Sequence, residues 1–371
     1  AGRSVSYVRN LNYWGRALMV NQGRFNFDEI RYTYYRSDEV AFEAFKAGEY
    51  RFRIEKNAKL WATAYQFNAI KRGQVKQELV TDANPVAMRG LVINTRRAPF
   101  DEVRVRQALV LAFDFDWVNQ ALLYGQKVRL MSFFEGSELQ AKGVPSLSER
   151  LLLSVLPLTQ AQKQTLISTP LPPKTDPSGY HRHALLQARS LLLQAGLTYH
   201  QGKLIDKQGR AVKLTILVAD EGLNRVLLPY LANLKRLGIT ATIRQVDKAQ
   251  WTMMRRRFEF DMTPEVIYQG NQVGAEQAYL WGSALADTEG SQNLAGVKDK
   301  AIDRVIERLV RVSHRHEMIV HTKVLDRLLQ AGFYVVPLYG DGATQLAYYK
   351  EYHHPSKLPN YALGLEYWWA Q

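Results

Sequence analysis

Residues 267–283, IYQGNQVGAEQAYLWGS, gather side chains suited to holding a polar ligand rather than transforming one. Tyrosine and tryptophan offer flat walls, glutamine and asparagine offer amide donors and acceptors, and glycines free the backbone to approach a guest. The competing account is an ordinary surface loop with Trp281 packed in a core.

Catalytic groupings are absent or misplaced. His316 and His321 in HEMIVH are five residues apart. A zinc-protease helix needs its two histidines at i and i+4. At 100° per residue the observed spacing puts them about 140° apart. His181 and His183 stand just ahead of a helical run and are expected to be solvated. Asp114 and Asp116 lie where a helix begins, so capping accounts for them. There is no GxSxG, P-loop or GxGxxG pattern. Cysteine is absent, which removes disulfides, thiolate nucleophiles and cysteine-held metals.

These groups must be positioned by a fold, and the patterning predicts an α/β one. Gly90–Asn94 is extended and Pro99 ends it, with Asp101 the expected cap of the next helix. Val105, Leu109, Ala112 and Phe113 then fall on one helical face. A second short helix starts near Asp116 and stops at Gly125. Before this, 27–36 alternates like a strand, 38–47 is helical up to Gly48, 50–54 is extended, and 60–69 is a helix or an irregular loop. After it come helices over 148–156 and 182–195, with a Pro-rich surface connection over 169–177. Residues 203–205 and 211–219 are expected to pair as a hairpin around Gly209. Helix 223–237, strand 239–246, helix 250–258 and a strand into Val266 follow. Strands alternating with helices indicate a sheet under helical cover. Two helices occupy 298–331, with Asp299 capping one and Gly332 stopping the other. Residues 333–338 and 344–349 are strand-like, and 358–369 is aromatic and irregular.

The 371 residues suffice for two or three domains. No apolar run reaches the roughly 18 residues of a membrane-spanning helix, and AGRSVSYVRN lacks the apolar core of a secretory signal. The net charge of +14 is compatible with nucleic acid, anionic membrane or acidic ligands. The basic residues are scattered, however, through 96–97, 104–106, 255–257 and 311–323, as on solvated helix faces. No nucleic-acid-binding signature accompanies them.

The run PFDEVRVRQAL at 99–109, followed by AFDFDW at 112–117 with Asp114 and Trp117, resembles the signature of the peptide/nickel/dipeptide class of ABC-transporter solute-binding proteins. YGQ at 124–126 is similar to its Yej-type oligopeptide-binding branch. NYWGRALMVNQGRFNFDEIRYTYYR at 12–36, VAFEAFKAGEY at 40–50, WATAY at 61–65, NLAGVKDKAID at 293–303 and FYVVPLY at 333–339 continue the likeness in order. The resemblance implies a periplasmic-binding-protein-like fold, α/β, whose two lobes close on a ligand. Residues 1–93 would belong to lobe 1, 94–340 to lobe 2, and 341–371 to the return into lobe 1. The crossings at 90–99 and 336–343 would be hinge strands. Family members carry a substantial segment ahead of the GRSVSYVRN strand. The resemblance therefore leads us to expect an N-terminally truncated chain, with open strand edges and exposed apolar surface within residues 1–90.

The same resemblance implies where a ligand sits. Gln269, Glu276, Trp281, Gly282 and Ser283 match the Yej-type pattern, and Ile267 stands where that branch tends to have tryptophan. Classical oligopeptide binders place an aspartate here for the peptide α-amine, and Glu276 is the substitute candidate. Tyr268, Gln269 and Asn271 are expected on the ligand face. Phe133 and Phe134, in SFFEGSEL, would stack on ligand side chains or else fill a core. Trp61 would face the cleft from lobe 1. The implied role is a periplasmic, monomeric, non-enzymatic receptor needing neither cofactor nor metal. It would deliver oligopeptides to an inner-membrane ABC permease and its ATPase subunits, with at most peripheral membrane contact and no nucleic-acid partner. The alternative is a truncated basic interaction or scaffold protein without transport function.

Overall fold

The structure, a computed structural model, describes residues 3–167, 169 and 181–371. Apart from Thr169, the expected Pro-rich connection lies outside the described residues. The chain divides into two compact units, Ala1–Asn84 with Gly342–Gln371, and Pro85–Asp341.

The second unit is a sheet covered on both faces. Its strand order is Thr240–Gln245, Lys213–Val218, Met262–Ile267, Met88–Ile93, Val335–Asp341 and Lys127–Val128. The first three run parallel to one another, and Met88–Ile93 is antiparallel to both its neighbours. Side chains alternate between faces along a strand, and two cores follow from that alternation. Met88, Val92, Val335, Leu217 and Ile267 join one, beneath helices Lys300–Leu309 and Arg315–Gly332. Leu91, Ile93, Val336, Leu214 and Ile216 join the other, beneath helices Val103–Leu111, Arg182–Gln194 and Asn224–Arg236. Gly90 lets the central strands close. A Cβ there would lie 2.3 Å from Val335 Cγ1 and 2.7 Å from the Val336 carbonyl oxygen.

This placement moves the expected boundary. Met88–Ile93, expected with residues 1–93, is a central strand of the second unit, bonded on both sides. The first crossing between units falls at 84–85 instead, while the second, at 341–342, lies within the expected 336–343. Other local expectations shift for local reasons. Glu102, not Asp101, caps Val103–Leu111 by accepting from the Arg104 N–H. Residues 203–205 pair with Thr198–His200, while Lys213–Val218 enters the main sheet, so the expected hairpin shrinks to one bridge, Ile205 with Ala211. Gly332 stays helical, and Phe333 takes the left-handed turn at φ 49°. His181 is buried rather than solvated, its Nε2 2.6 Å from the Leu111 carbonyl oxygen.

The first unit holds a three-stranded antiparallel sheet, with Thr344–Tyr349 between Phe52–Glu55 and Val75–Val80. Helix Asp38–Ala47 packs Phe42 and Phe45 against it. Ser37 caps that helix, and Gly48 ends it at φ 78°. Residues 60–69 resolve into two short helices, Ala58–Thr63 and Asn68–Lys71. A separate antiparallel pair, Ser4–Val8 with Glu29–Thr33, carries no third strand among the described residues.

Candidate ligand-binding site

Strand Met262–Ile267 delivers the 268–283 loop to the surface of the second unit. Four side chains fix the strand and the loop. Arg255 donates through Nε to Glu265 at 2.8 Å, anchoring the strand beside its exit. Arg315 donates to the Asn271 carbonyl at 2.7 Å and to Glu138. At the far end Asp303 accepts the Ser283 N–H at 2.8 Å, and Asn293 donates to the Gly282 carbonyl at 2.9 Å.

Between these anchors the loop is open. Tyr268 is 73% exposed and Tyr279 64%. Gln269 and the buried Gln277 exchange hydrogen bonds, the shorter being 2.7 Å from Gln277 Nε2 to Gln269 Oε1. Glu276 opens helix Glu276–Trp281. Its Oε1 accepts from the Gly274 N–H at 2.8 Å and from Gln277 Nε2 at 3.2 Å. That exposed carboxylate makes no ion pair among the described residues. The arrangement is a negative group held by a fixed turn, beside aromatic surface and amide groups. It can hold a cationic, hydrogen-bonding ligand.

The other expected site residues are placed elsewhere. Phe133, Phe134 and Trp281 are corrections, being 3%, 0% and 3% exposed within one core. Phe133 meets Trp281 edge-on at 5.0 Å. Their rings are taken up by packing in that core. Trp61 is half-buried in the first unit, 5.0 Å from the Tyr65 ring. Asp114 caps Phe115–Leu122 and Asp116 pairs with Arg129 at 3.0 Å, so the two carboxylates serve structure. Arg315, Asp303 and Asn293 escaped the sequence analysis, since nothing in their local sequence marks a partner 11 to 44 residues away. Tyr279 carried a signal, as an aromatic in the same loop.

Among the described residues no group of three or more potential ligands could hold a metal ion. No described helix is long and apolar enough to cross a membrane.

Residues 1–288 match the family described as bacterial extracellular solute-binding proteins, family 5 middle. The chain belongs to that family. Its members are solute-binding proteins, not enzymes. The whole chain is 37% identical to "Probable peptide-binding protein YejA" of Agrobacterium fabrum, covering 61% of that protein. It is 39% identical to "Uncharacterized protein y4wM" of Sinorhizobium fredii, covering 56%. A third relative, 33% identical, is named "Peptidoglycan-binding protein YepA". The chain thus spans about three-fifths of these relatives. The fold is shared with the oligopeptide-binding protein AppA of Bacillus subtilis, solved with a nonapeptide, at TM-score 0.65 and 16% identity. There the match covers all of this chain and 64% of that one. NikA of Brucella suis gives a TM-score of 0.66 at 20% identity, over 94% of this chain and 62% of that one. These confirm the periplasmic-binding-protein fold that the sequence led us to expect.

Proposed function

We propose that this solute-binding protein takes oligopeptides, in the periplasm and as a monomer, and presents them to an ABC permease with its ATPase subunits. The observation that carries the reading is the Glu276 carboxylate, fixed by the Gly274 N–H and left without a counter-ion among the described residues. A peptide α-ammonium is the complementary group. Tyr268 supplies a flat surface for a first side chain. Backbone groups and the amides of Gln269 and Asn271 pair with the peptide main chain, directly or through bridging water. The names of two relatives, one peptide-binding and one peptidoglycan-binding, support a ligand with peptide bonds.

Thermal unfolding with short peptides tests this. A ligand that binds only the folded chain stabilises it by about 2.7 kcal/mol at 100 times its Kd. Peptides with a free amino terminus are expected to raise the midpoint, and N-acetylated versions to do so less. Glu276→Gln should weaken binding a few-fold, since an exposed ion pair contributes about 1 kcal/mol or less. No shift with any free-amine peptide, muropeptides included, would sink the reading.

A further inference from the structure

Helix Glu276–Trp281 has one buried side. Gln277 and Trp281, four residues apart and therefore neighbours on one face, are its buried residues. Glu276 and Tyr279 are exposed. Trp281 belongs to the apolar core, whereas Gln277 puts a fully buried amide on the same face. A buried amide costs stability unless it is hydrogen-bonded, so the partners of this one are informative.

Gln277 Nε2 donates twice, to Gln269 Oε1 at 2.7 Å and to Glu276 Oε1 at 3.2 Å. Gln269 Nε2 returns a bond to Gln277 Oε1 at 3.4 Å. A carboxylate can only accept, so the Gln277 atom facing Glu276 has to be the nitrogen. The same nitrogen faces Gln269, which must then turn its oxygen inward. The charge on Glu276 thus sets the orientation of both amides. Two groups are left over. Glu276 Oε2 accepts no hydrogen bond among the described residues, because the Gly274 N–H and Gln277 both use Oε1. One N–H of Gln269 also has no partner among them.

We propose that Gln277 is the positioning residue of this site. It does not touch the ligand. Through one nitrogen it holds a carboxylate and an amide in fixed orientations, leaving one acceptor and one donor for a guest. The first residue of a peptide carries the complementary pair, an α-ammonium for Glu276 Oε2 and a carbonyl oxygen for the Gln269 N–H. Gln277 therefore makes the site selective for a free amino terminus rather than for peptide bonds in general. The choice of ligand rests on the receptor reading of this loop, whereas the hold of Gln277 on Glu276 does not.

Gln277→Met keeps the volume of the side chain and removes its donors. Two readouts are taken on the 371-residue chain. Without ligand, hydrogen exchange at the Gly274 N–H is expected to quicken about fivefold, because Glu276 is no longer held against it. With short peptides, the wild type is expected to favour a free amino terminus over the N-acetylated form by about fivefold. Gln277→Met should bring that ratio close to one. Unchanged exchange at Gly274 would overturn the inference. So would equal weakening of both peptides with the ratio kept, which would make Gln277 a packing group. A wild type that takes neither peptide would sink the receptor reading and the ligand named here, while exchange at Gly274 would still decide what Gln277 holds. If Gln277→Met does not fold, Glu276→Gln answers by NMR. One of the two Gln277 side-chain amide protons is expected to move upfield on losing a charged acceptor, and the other to stay. Two unmoved protons would overturn the inference.

Discussion

Met88–Ile93 and Ser4–Val8 are both short strands rich in β-favouring residues, and they end in opposite surroundings. Every residue of the first except Arg89 is buried, with a bonded neighbour on each side. Every residue of the second is exposed, with one bonded neighbour among the described residues. The difference does not lie in strand propensity, since Val5, Tyr7 and Val8 suit a pleated surface as well as Leu91 and Val92 do. It lies in what is stacked above and below. Helices cover the first strand on both faces, whereas cross-strand contacts such as Tyr7 on Tyr32, 5.9 Å apart, serve the second. Pairing makes a strand, and coverage makes it part of a core.

The largest expected effect sets the same chemical pair in both surroundings. Arg327 is buried, donating through Nε to Glu149 at 2.5 Å and through the rest of its guanidinium to the Gly143 and Lys142 carbonyls. Arg327→Ala strands a buried carboxylate and should cost about 3–5 kcal/mol. Arg31 pairs with Glu29 on the exposed hairpin at 2.8 Å. Arg31→Ala should cost less than about 1 kcal/mol. Urea denaturation of the two variants gives the contrast directly. Equal losses would mean the hairpin is as covered as the core.

A middle-sized effect comes from Asp326. Burial pushes its carboxyl from 3.8 up to about 6, although Ser132, the Ala141 and Phe133 N–H groups and Gln330 donate to it and pull the other way. The folded pKa lies above the unfolded one. Its stabilising contribution is thus complete below about pH 4 and lost as pH rises through 6. At about 1.4 kcal/mol per unit, the loss approaches 3 kcal/mol. Asp326→Asn should remove that slope, read as the difference between wild-type and variant unfolding free energies from pH 4 to 7. Parallel curves would show that Asp326 does not titrate there. Glu29 on the hairpin shifts the opposite way, downward through hydrogen bonds with Ser6 and Arg31.

The same contrast explains how far the sequence could be read. Where a periodic pattern met a cap or a glycine, as at 38–48, the helix is where it was expected, because both signals are local. Asp299 likewise caps Lys300–Leu309 through the N–H groups of Ala301 and Ile302. The ordered motifs carried the family and its fold. What failed was non-local. Nothing between 203 and 219 says that Lys213–Val218 will leave its hairpin for a parallel neighbour. Phe133, Phe134 and Trp281 look alike as ligand platforms or as core, and only the helices above them decide. The exposure of Tyr268 and Glu276 was legible because a polar loop leaves them nowhere to be buried, but the loop's anchors Arg315 and Asp303 were not.

The smallest expected effect is the most exacting for the comparison. Trp14 is a large apolar residue that would cost about 3–5 kcal/mol to truncate in a core. At 81% exposure, with Tyr13 at 5.6 Å as its ring neighbour, little of that surface is removed from water. Trp14→Ser in the 371-residue chain should therefore change the unfolding free energy by no more than about 0.5 kcal/mol. Phe45→Ala in the same unit, fully buried under Tyr349 and Phe67, provides the matched large loss. A cost above about 1 kcal/mol for Trp14→Ser would mean that this tryptophan is packed in solution. The hairpin surface would then be covered by the chain itself, and the exposed strand would no longer differ in kind from the buried one.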